Sequence, residues 1–132
     1  MNKRPMLISI LLITLCAAVV WAGAPGSATT VEGYVLDSSC AYTKNLDKPI
    51  SVACARSCAK AGSPLVLLTA DGTIYWPISG GVPATGQNAK LMPFAGEKVT
   101  VSGKVFQRAG SKAIVIEKIE RVASSKAAPV AH

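Results

Sequence analysis

Three of the four cysteines in this chain are the residues whose type and spacing could do chemistry. Cys54 and Cys58 lie four apart in SVACARSCAK, and Cys40 lies upstream in LDSSCAY. Three thiols can hold a soft metal ion, carry out thiol redox chemistry, or form one disulfide with a thiol left over. The choice among these depends on the compartment and on the elements that position the thiols.

The amino-terminal segment has the order of a secretory signal peptide. Two basic residues precede an apolar run over residues 6–20, and the small residues of WAGAPGSA follow. The run is short for a membrane span of about 20 residues. We therefore predict a signal peptide over residues 1–22, cleaved after Ala22, with an uncleaved membrane anchor as the alternative. Cleavage removes Cys16 and leaves an odd number of cysteines in an oxidising compartment.

The charge balance narrows the class of partner. The net charge is +7, and loss of the two basic residues of the signal segment lowers it to +5. The basic residues are scattered and aromatic residues are few, so nucleic acid is not an expected partner. We expect an envelope protein or polymer instead, with membrane contact only through the signal segment.

Enzymatic signatures are missing from the sequence. The chain has no C-x-x-C motif, no phosphate loop and no nucleophile elbow. Its only histidine, His132, ends the chain and is a poor base for a cysteine nucleophile. We therefore predict a non-enzymatic protein, and these motifs point to no cofactor with certainty.

Hydrophobic periodicity predicts five short strands. TTVEGYVLD and EKVTVSGKVFQ alternate, whereas PLVLLT is a continuous apolar run typical of a buried strand. Asp71-Gly72 predicts a hairpin turn, and Gly103 predicts a β-bulge. The predicted strands are 29–37, 64–69, 73–78, 97–107 and 112–122.

Helical signals are fewer. Residues 50–62 are rich in alanine and end at Gly62, which predicts a short helix that carries two of the cysteines. Residues 86–92 have room for one helical turn, and the polar residues 37–49 are typical of a loop. The side of the cysteine helix predicted to face the strands carries Ile50, Cys54, Cys58 and Ala61.

These elements predict a mainly β fold. We expect a small five-stranded OB-like barrel, with the cysteine helix inserted between strands 1 and 2 and a short helical turn before strand 4. The alternative is an α+β fold in which one helix covers an antiparallel sheet. The domain would span residues 29–122, between a flexible leader over 23–28 and a disordered tail over 123–132.

Helix geometry restricts how the thiols can pair. Residues four apart on a helix have Cβ atoms about 5–6 Å apart, whereas a disulfide needs roughly 3.5–4.5 Å. Cys54 and Cys58 therefore cannot form a relaxed disulfide with each other. Either can meet Cys40, and that bridge would close a loop of about 15–19 residues, worth on the order of 3 kcal/mol.

The same three thiols suit a metal ion. Sulfur ligands favour Cu(I), or Zn(II) with a fourth ligand, for which Asp37 is the better candidate than His132. The C-x13-C-x3-C spacing lacks the paired C-x2-C of common zinc sites. A thiol-redox protein is a third option, although no basic residue is clearly placed to activate a thiol.

Several segments resemble an uncharacterised family of small secreted bacterial OB-like proteins. VEGYVLDSSC carries a D-x-x-C motif, ACARSCAKAGSPLVLLTADGTIY carries C-x3-C before G-x-P, and FAGEKVTVSGKV and IVIEKIERV follow. The resemblance covers residues 30–122 and implies export and this fold, with Asp37 and the three cysteines at the family's positions. Members often have a histidine where this chain has Ser51, which disfavours a metal site here. The family implies no settled activity.

We thus predict an exported, periplasmic or secreted, binding or interaction module. Cys40 pairs with Cys54 or Cys58 in a disulfide, and one thiol is spare. A soft-metal protein that uses these residues and Asp37 is one alternative, and a thiol-redox protein is another. A thiol-linked homodimer through the spare cysteine is a further option.

Overall fold

The computed structural model describes residues 26–44, 46 and 50–123, and these residues form a mainly β molecule. Five strands make up the sheet: β1 (Ser27–Asp37), β2 (Leu65–Leu68), β3 (Ile74–Pro77), β4 (Lys98–Arg108) and β5 (Ser111–Arg121). Between β1 and β2 lie α1 (Ser38–Thr43) and α2 (Val52–Lys60). Before β4, α3 (Asn88–Leu91) continues into a 3-10 turn (Met92–Phe94).

The strands close into a barrel in the order β1-β2-β3-β5-β4. Pairing of β1 with β4 completes the ring, and the β3–β5 pair is parallel whereas the others are antiparallel. This arrangement confirms the predicted small OB-like barrel with a helical turn before the fourth strand. An antiparallel sheet covered by one helix is not what forms.

Two glycines allow the long strands to curve around this small barrel. Pairing of β4 with β5 shifts register between Ser102 and Gly103, as predicted for a bulge. A side chain at position 103 would strike the carbonyl oxygen of Val115. A Cβ at Gly33 would lie 2.7 Å from the carbonyl oxygen of Leu68. Both positions therefore require a residue without a side chain.

The main hydrophobic core fills the barrel. Helices α2 and α3 close the barrel, because Ala55 and Ala59 of α2 and Leu91 of α3 are buried against the strands. The strand side chains of this core are Val31, Val35, Leu65, Leu67, Val99, Val101, Ile114 and Ile116. Their alternation along each strand is the pattern that predicted the strands.

A second, smaller cluster lies on the outer face of the barrel. Val66 and Leu68 of β2 point outward and pack with Leu36 of β1 and Ala41 of α1. Because β2 is covered on both faces, all four of its residues are buried. That double burial explains the continuous apolar run in PLVLLT.

Helix α1 corrects the prediction of a loop over residues 37–49. The side chain of Asp37 accepts a hydrogen bond from the backbone N–H of Cys40 at 2.7 Å and so caps the helix. Burial of Ala41 against β2 then holds the helix on the barrel. A short polar segment is helical here because of a cap and a tertiary contact, which periodicity does not report.

Helix α2 forms where predicted but turns a different face inward. The buried residues are Ala55 and Ala59, whereas Cys54 is exposed and Cys58 is half-buried. Alanine lets the helix lie close to the barrel, and a Cβ at Gly96 would already come within 2.5 Å of the Val52 Cα. The predicted inward stripe through the cysteines is therefore wrong.

Element ends differ from prediction by a few residues. Strand β1 begins at Ser27, within the expected leader, and the helical turn expected at 86–92 begins at Asn88. The predicted signal peptide over residues 1–22 and the predicted tail from residue 124 onward lie outside the described residues. Among the helices that the structure describes, none is long and apolar enough to cross a membrane.

Candidate functional site

Asp37 is the buried polar centre of the region that carries the cysteines. It ends β1, is only 4% exposed, and is the one buried charged residue in the described chain. Its Oδ1 accepts from the backbone N–H of Cys40, and its Oδ2 accepts from the hydroxyl of Ser63. Burial alone would raise the pKa of Asp37, but these bonds and those from the Cys40 thiol and the Ser39 backbone lower it overall. Asp37 is therefore a buried anion.

Ser63 connects this carboxylate to the helix that carries the other two thiols. Its backbone N–H donates to the carbonyl of Cys58 at 3.1 Å, while its hydroxyl donates to Asp37. The side chain of Asn88 then binds the carbonyl of Ser63 at 2.7 Å and the N–H of Leu65 at 2.9 Å. The end of β1, the end of α2 and the start of α3 are thereby joined in one network.

Cys40 follows Asp37 in the first turn of α1 and is half-buried. Its thiol donates a hydrogen bond to the Asp37 carboxylate, and this bond raises the pKa of Cys40 to about 11. Burial, the charge of Asp37 and the neighbouring Cys54 and Cys58 act in the same direction. Cys40 is therefore a protonated thiol at neutral pH and a poor nucleophile.

The other two thiols lie one turn apart on α2. The thiols of Cys54 and Cys58 are 4.1 Å apart, beyond disulfide bonding distance. Burial raises the pKa of Cys58, and the adjacent Cys54 thiol and the Asp37 charge raise it further. Cys54 is the most exposed of the three, so reagents from solvent reach it first.

The predicted site residues lie close enough to affect two of the thiols. Asp37, Cys54 and Cys58 all raise the pKa of Cys40, and Asp37 and Cys54 raise the pKa of Cys58. We call Cys40, Cys54, Cys58 and Asp37 the thiol cluster. All three cysteines are free, and no set of three or more His, Cys, Asp and Glu side chains in the described part of the chain is arranged to hold a metal ion.

The cluster lacks the electrostatics of a catalytic thiol. Reactive cysteines have a lowered pKa, produced by a positive neighbour or a helix N-terminus. Here the nearest charge to Cys40 is the carboxylate of Asp37, which raises its pKa. Arg56 of α2 pairs instead with Glu97, with nitrogen and oxygen 3.5 Å apart. The surroundings of the thiol cluster therefore raise the pKa of Cys40 and of Cys58 rather than lowering it.

Sequence reasoning did not find Ser63 and Asn88. Ser63 binds Asp37, which lies 26 residues earlier in the chain, and Asn88 binds Ser63, which lies 25 residues earlier. Contacts between residues so far apart in sequence leave no local pattern. Ser63 follows the helix stop at Gly62, and Asn88 begins α3. Each looks like an ordinary turn or capping residue in the sequence.

The relation of this chain to known proteins stays a prediction. Comparison with models of protein families, with curated proteins and with solved structures finds no match. The resemblance of the D-x-x-C and C-x3-C segments to small secreted bacterial proteins is therefore an expectation from the sequence. The function has to be argued from the barrel and the thiol cluster.

Proposed function

We propose that the protein is an exported, non-enzymatic binding module whose thiol cluster closes one disulfide. The observation that supports this proposal is that Cys40 lies near enough to Cys54 and Cys58 for their charges to raise its pKa, although the cysteines are not at disulfide distance in this structure. Cys40 lies on α1 and the other two on α2, so a bridge joins two helices that the barrel holds separately. It would contribute about 3 kcal/mol by closing a loop of about 15–19 residues.

Disulfide formation needs an external oxidant, and the geometry sets its order. The exposed thiolate of Cys54 attacks a disulfide-bearing oxidant, which forms a mixed disulfide and releases one thiol of the oxidant. The small fraction of Cys40 that has lost its proton to solvent then displaces the second thiol, either directly or after transfer of the mixed disulfide to Cys58, and its high pKa makes this the slow step. Two protons and two electrons leave with the oxidant, which becomes a dithiol.

The test is the mass of each cysteine peptide from protein isolated out of an oxidising compartment. Free thiols are alkylated with one reagent, disulfides are reduced, and the released thiols are alkylated with a second. We expect Cys40 and one α2 cysteine to carry the second label and one cysteine to carry the first. The single variants Cys54→Ser and Cys58→Ser identify the partner, because only loss of the true partner frees Cys40.

Two outcomes contradict the proposal. Three free thiols in protein from that compartment would exclude the bridge. The only disulfide found could instead join two copies of the protein, seen as a dimer that dissociates on reduction. That outcome would make the thiol cluster an assembly site. Export is checked in the same sample, since amino-terminal sequencing is expected to begin at Gly23.

A soft-metal site is the second candidate, and the buried anion favours it. The negative charge of Asp37 raises the pKa of Cys40, and the same charge would stabilise a cation that replaces the thiol protons. The described side chains would have to rotate to bind, because they form no ready metal site. Cu(I), or Zn(II) with Asp37 as fourth ligand, is the chemistry that three thiolates suit.

Competition titration separates this candidate from the disulfide. Reduced protein is titrated against a chromophoric Cu(I) or Zn(II) chelator, beside a Cys40→Ser/Cys54→Ser/Cys58→Ser variant. One equivalent bound by the parent and none by the variant would support a metal site. Equal withdrawal of metal from the chelator by both proteins would exclude it.

A further inference from the structure

A groove on the barrel surface is lined by Ala41 and Tyr42, which follow Cys40 in α1. No residue of the thiol cluster lines this groove. One cavity of about 580 Å³ is lined by Tyr42 of α1 and Trp76 of β3, with the turns around Gly72 and Gly110. A second cavity of about 400 Å³ adjoins it at Gly72. The two cavities share Gly72 in their linings, and we call them together the aromatic groove. Their size is that of ligand-binding pockets in proteins.

One wall of this groove is the aromatic pair Tyr42 and Trp76, of which Trp76 also packs against the outer-face cluster. Tyr42 is 65% exposed although it lies on a helix whose neighbouring Ala41 is buried. Its ring centroid is 6.5 Å from that of Trp76, with the planes inclined by 37°. Tyr42 thus offers an exposed aromatic ring beside the half-buried Trp76, and aromatic side chains are enriched at recognition surfaces.

The rest of the lining mixes apolar side chains with polar groups of both charges. Thr73, Ser111 and Lys112 line the first cavity, and Lys44 and Asp71 line the second. The Lys112 ammonium lies over the ring of Tyr75, 5.4 Å from its centroid. Asp71 already accepts hydrogen bonds from Thr73 and Thr69. The groove therefore offers hydroxyl groups and charges of both signs beside apolar side chains.

We propose that the aromatic groove binds an oligosaccharide, which names the partner class of the binding module proposed above and rests on that function. Sugar rings have apolar C–H faces that stack on aromatic rings and hydroxyl groups that bind polar rims. A chain of rings also matches two cavities that share Gly72 in their linings.

Other classes of ligand fit this surface less well. A peptide added as a strand needs an unpaired sheet edge, and the closed barrel pairs β3 with both β2 and β5. Single-stranded nucleic acid also stacks on aromatic rings but requires a continuous basic groove, whereas the carboxylate of Asp71 lines this one together with Lys44 and Lys112. Nucleic acid is therefore an outcome of the test.

The test is a binding titration of purified protein with tetrasaccharides of β-1,4-glucose, β-1,4-N-acetylglucosamine and α-1,4-glucose, followed by tryptophan fluorescence and calorimetry. We expect at least one sugar to bind and to change the fluorescence in a way that Trp76→Phe abolishes. Tyr42→Ala should weaken that binding about tenfold, the effect of losing one aromatic contact. Phe106→Ala, which removes a 39% exposed ring that lines neither cavity, should leave it unchanged.

A negative result in these titrations would count against sugar binding by the aromatic groove and would not bear on the proposed disulfide. Absence of binding by all three sugars, or equal binding by the parent and Tyr42→Ala, would overturn the proposal. Binding of a thymidine tetranucleotide in preference to the sugars would also overturn it. The titrations are repeated on the Cys40→Ser variant, so a failure confined to that variant points to the thiol cluster and a failure of every form points to the groove.

Discussion

Replacing Asp37 with Asn tests whether that carboxylate keeps the Cys40 thiol protonated. The hydrogen bond from the thiol to Asp37 is the largest cause that raises the pKa of Cys40 to about 11, and the charge of Asp37 adds to it. Asn removes the charge and weakens the bond, while burial of Cys40 persists. We therefore expect the pKa of Cys40 to fall from about 11 towards its ordinary value of 9.0.

The expected change in reactivity follows from two opposing effects. At pH 9, a thiol with a pKa of about 11 is about 1% ionised, and one with a pKa of about 10 is about 9% ionised. A thiolate whose thiol has a lower pKa is also less nucleophilic, by about threefold for each unit by which the pKa falls. The alkylation rate at pH 9 should then rise about threefold for a fall of one unit and about sixfold for a fall of two.

Alkylation rates from pH 7 to 12 measure this midpoint. Both the parent and the Asp37→Asn protein carry Cys54→Ser and Cys58→Ser, so that Cys40 alone of the mature chain reacts. Asp71→Asn is the matched control, because this carboxylate lies on the exposed β2–β3 turn and hydrogen-bonds only within that turn. An unchanged midpoint in an Asp37→Asn protein that remains folded by circular dichroism would refute this account of the thiol cluster.

Stability measurements by denaturant titration check three other parts of the structure. Folding lowers the pKa of Asp37, so its contribution to the free energy of unfolding is complete above the unfolded pKa of about 3.9 and is lost as the pH falls through the lower folded pKa. Asp37→Asn should therefore make the free energy of unfolding depend less on pH in this acidic range. Gly103→Ala should cost about 1–3 kcal/mol or prevent folding, because its Cβ would strike the Val115 carbonyl. Gly81→Ala, with no atom within 4 Å of the added Cβ, should change the free energy of unfolding by less than about 0.5 kcal/mol, and equal effects at the two glycines would contradict the bulge. Asn88→Ala should cost about 1–3 kcal/mol, because it leaves the N–H of Leu65 and the carbonyl of Ser63 without their side-chain partner, and a neutral effect would exclude that role.

The barrel was predictable because its signals are local. Alternation along β1 and β4 reports which side chains face the core, and the Asp71-Gly72 pair marks the turn between β2 and β3. A glycine within an alternating strand predicted the bulge at Gly103, where the backbones approach too closely for a side chain. These features depend on residues near one another in sequence, so one sequence was enough to find them.

The arrangement around the thiols was less predictable because it depends on distant contacts. Helix α1 has no apolar period, and it forms through the Asp37 cap and the burial of Ala41. Both faces of α2 carry small residues, and only the fit to the barrel selects Ala55 and Ala59 rather than the cysteines. The sequence named all four members of the thiol cluster, but it could not indicate the hydrogen bonds that keep Asp37 charged and the Cys40 thiol protonated.

Helix α1 links the two proposed sites, because Cys40 and Tyr42 lie two residues apart on its six residues. A helix this short does not persist alone, so its position depends on the Asp37 cap, on Ala41 and on any covalent tie to α2. A disulfide from Cys40 would restrict α1 and thereby fix the Tyr42 ring against Trp76 across the aromatic groove. On this account the thiols do no chemistry on a ligand, and the raised pKa values of Cys40 and Cys58 suit cysteines whose role is to hold a binding surface in place.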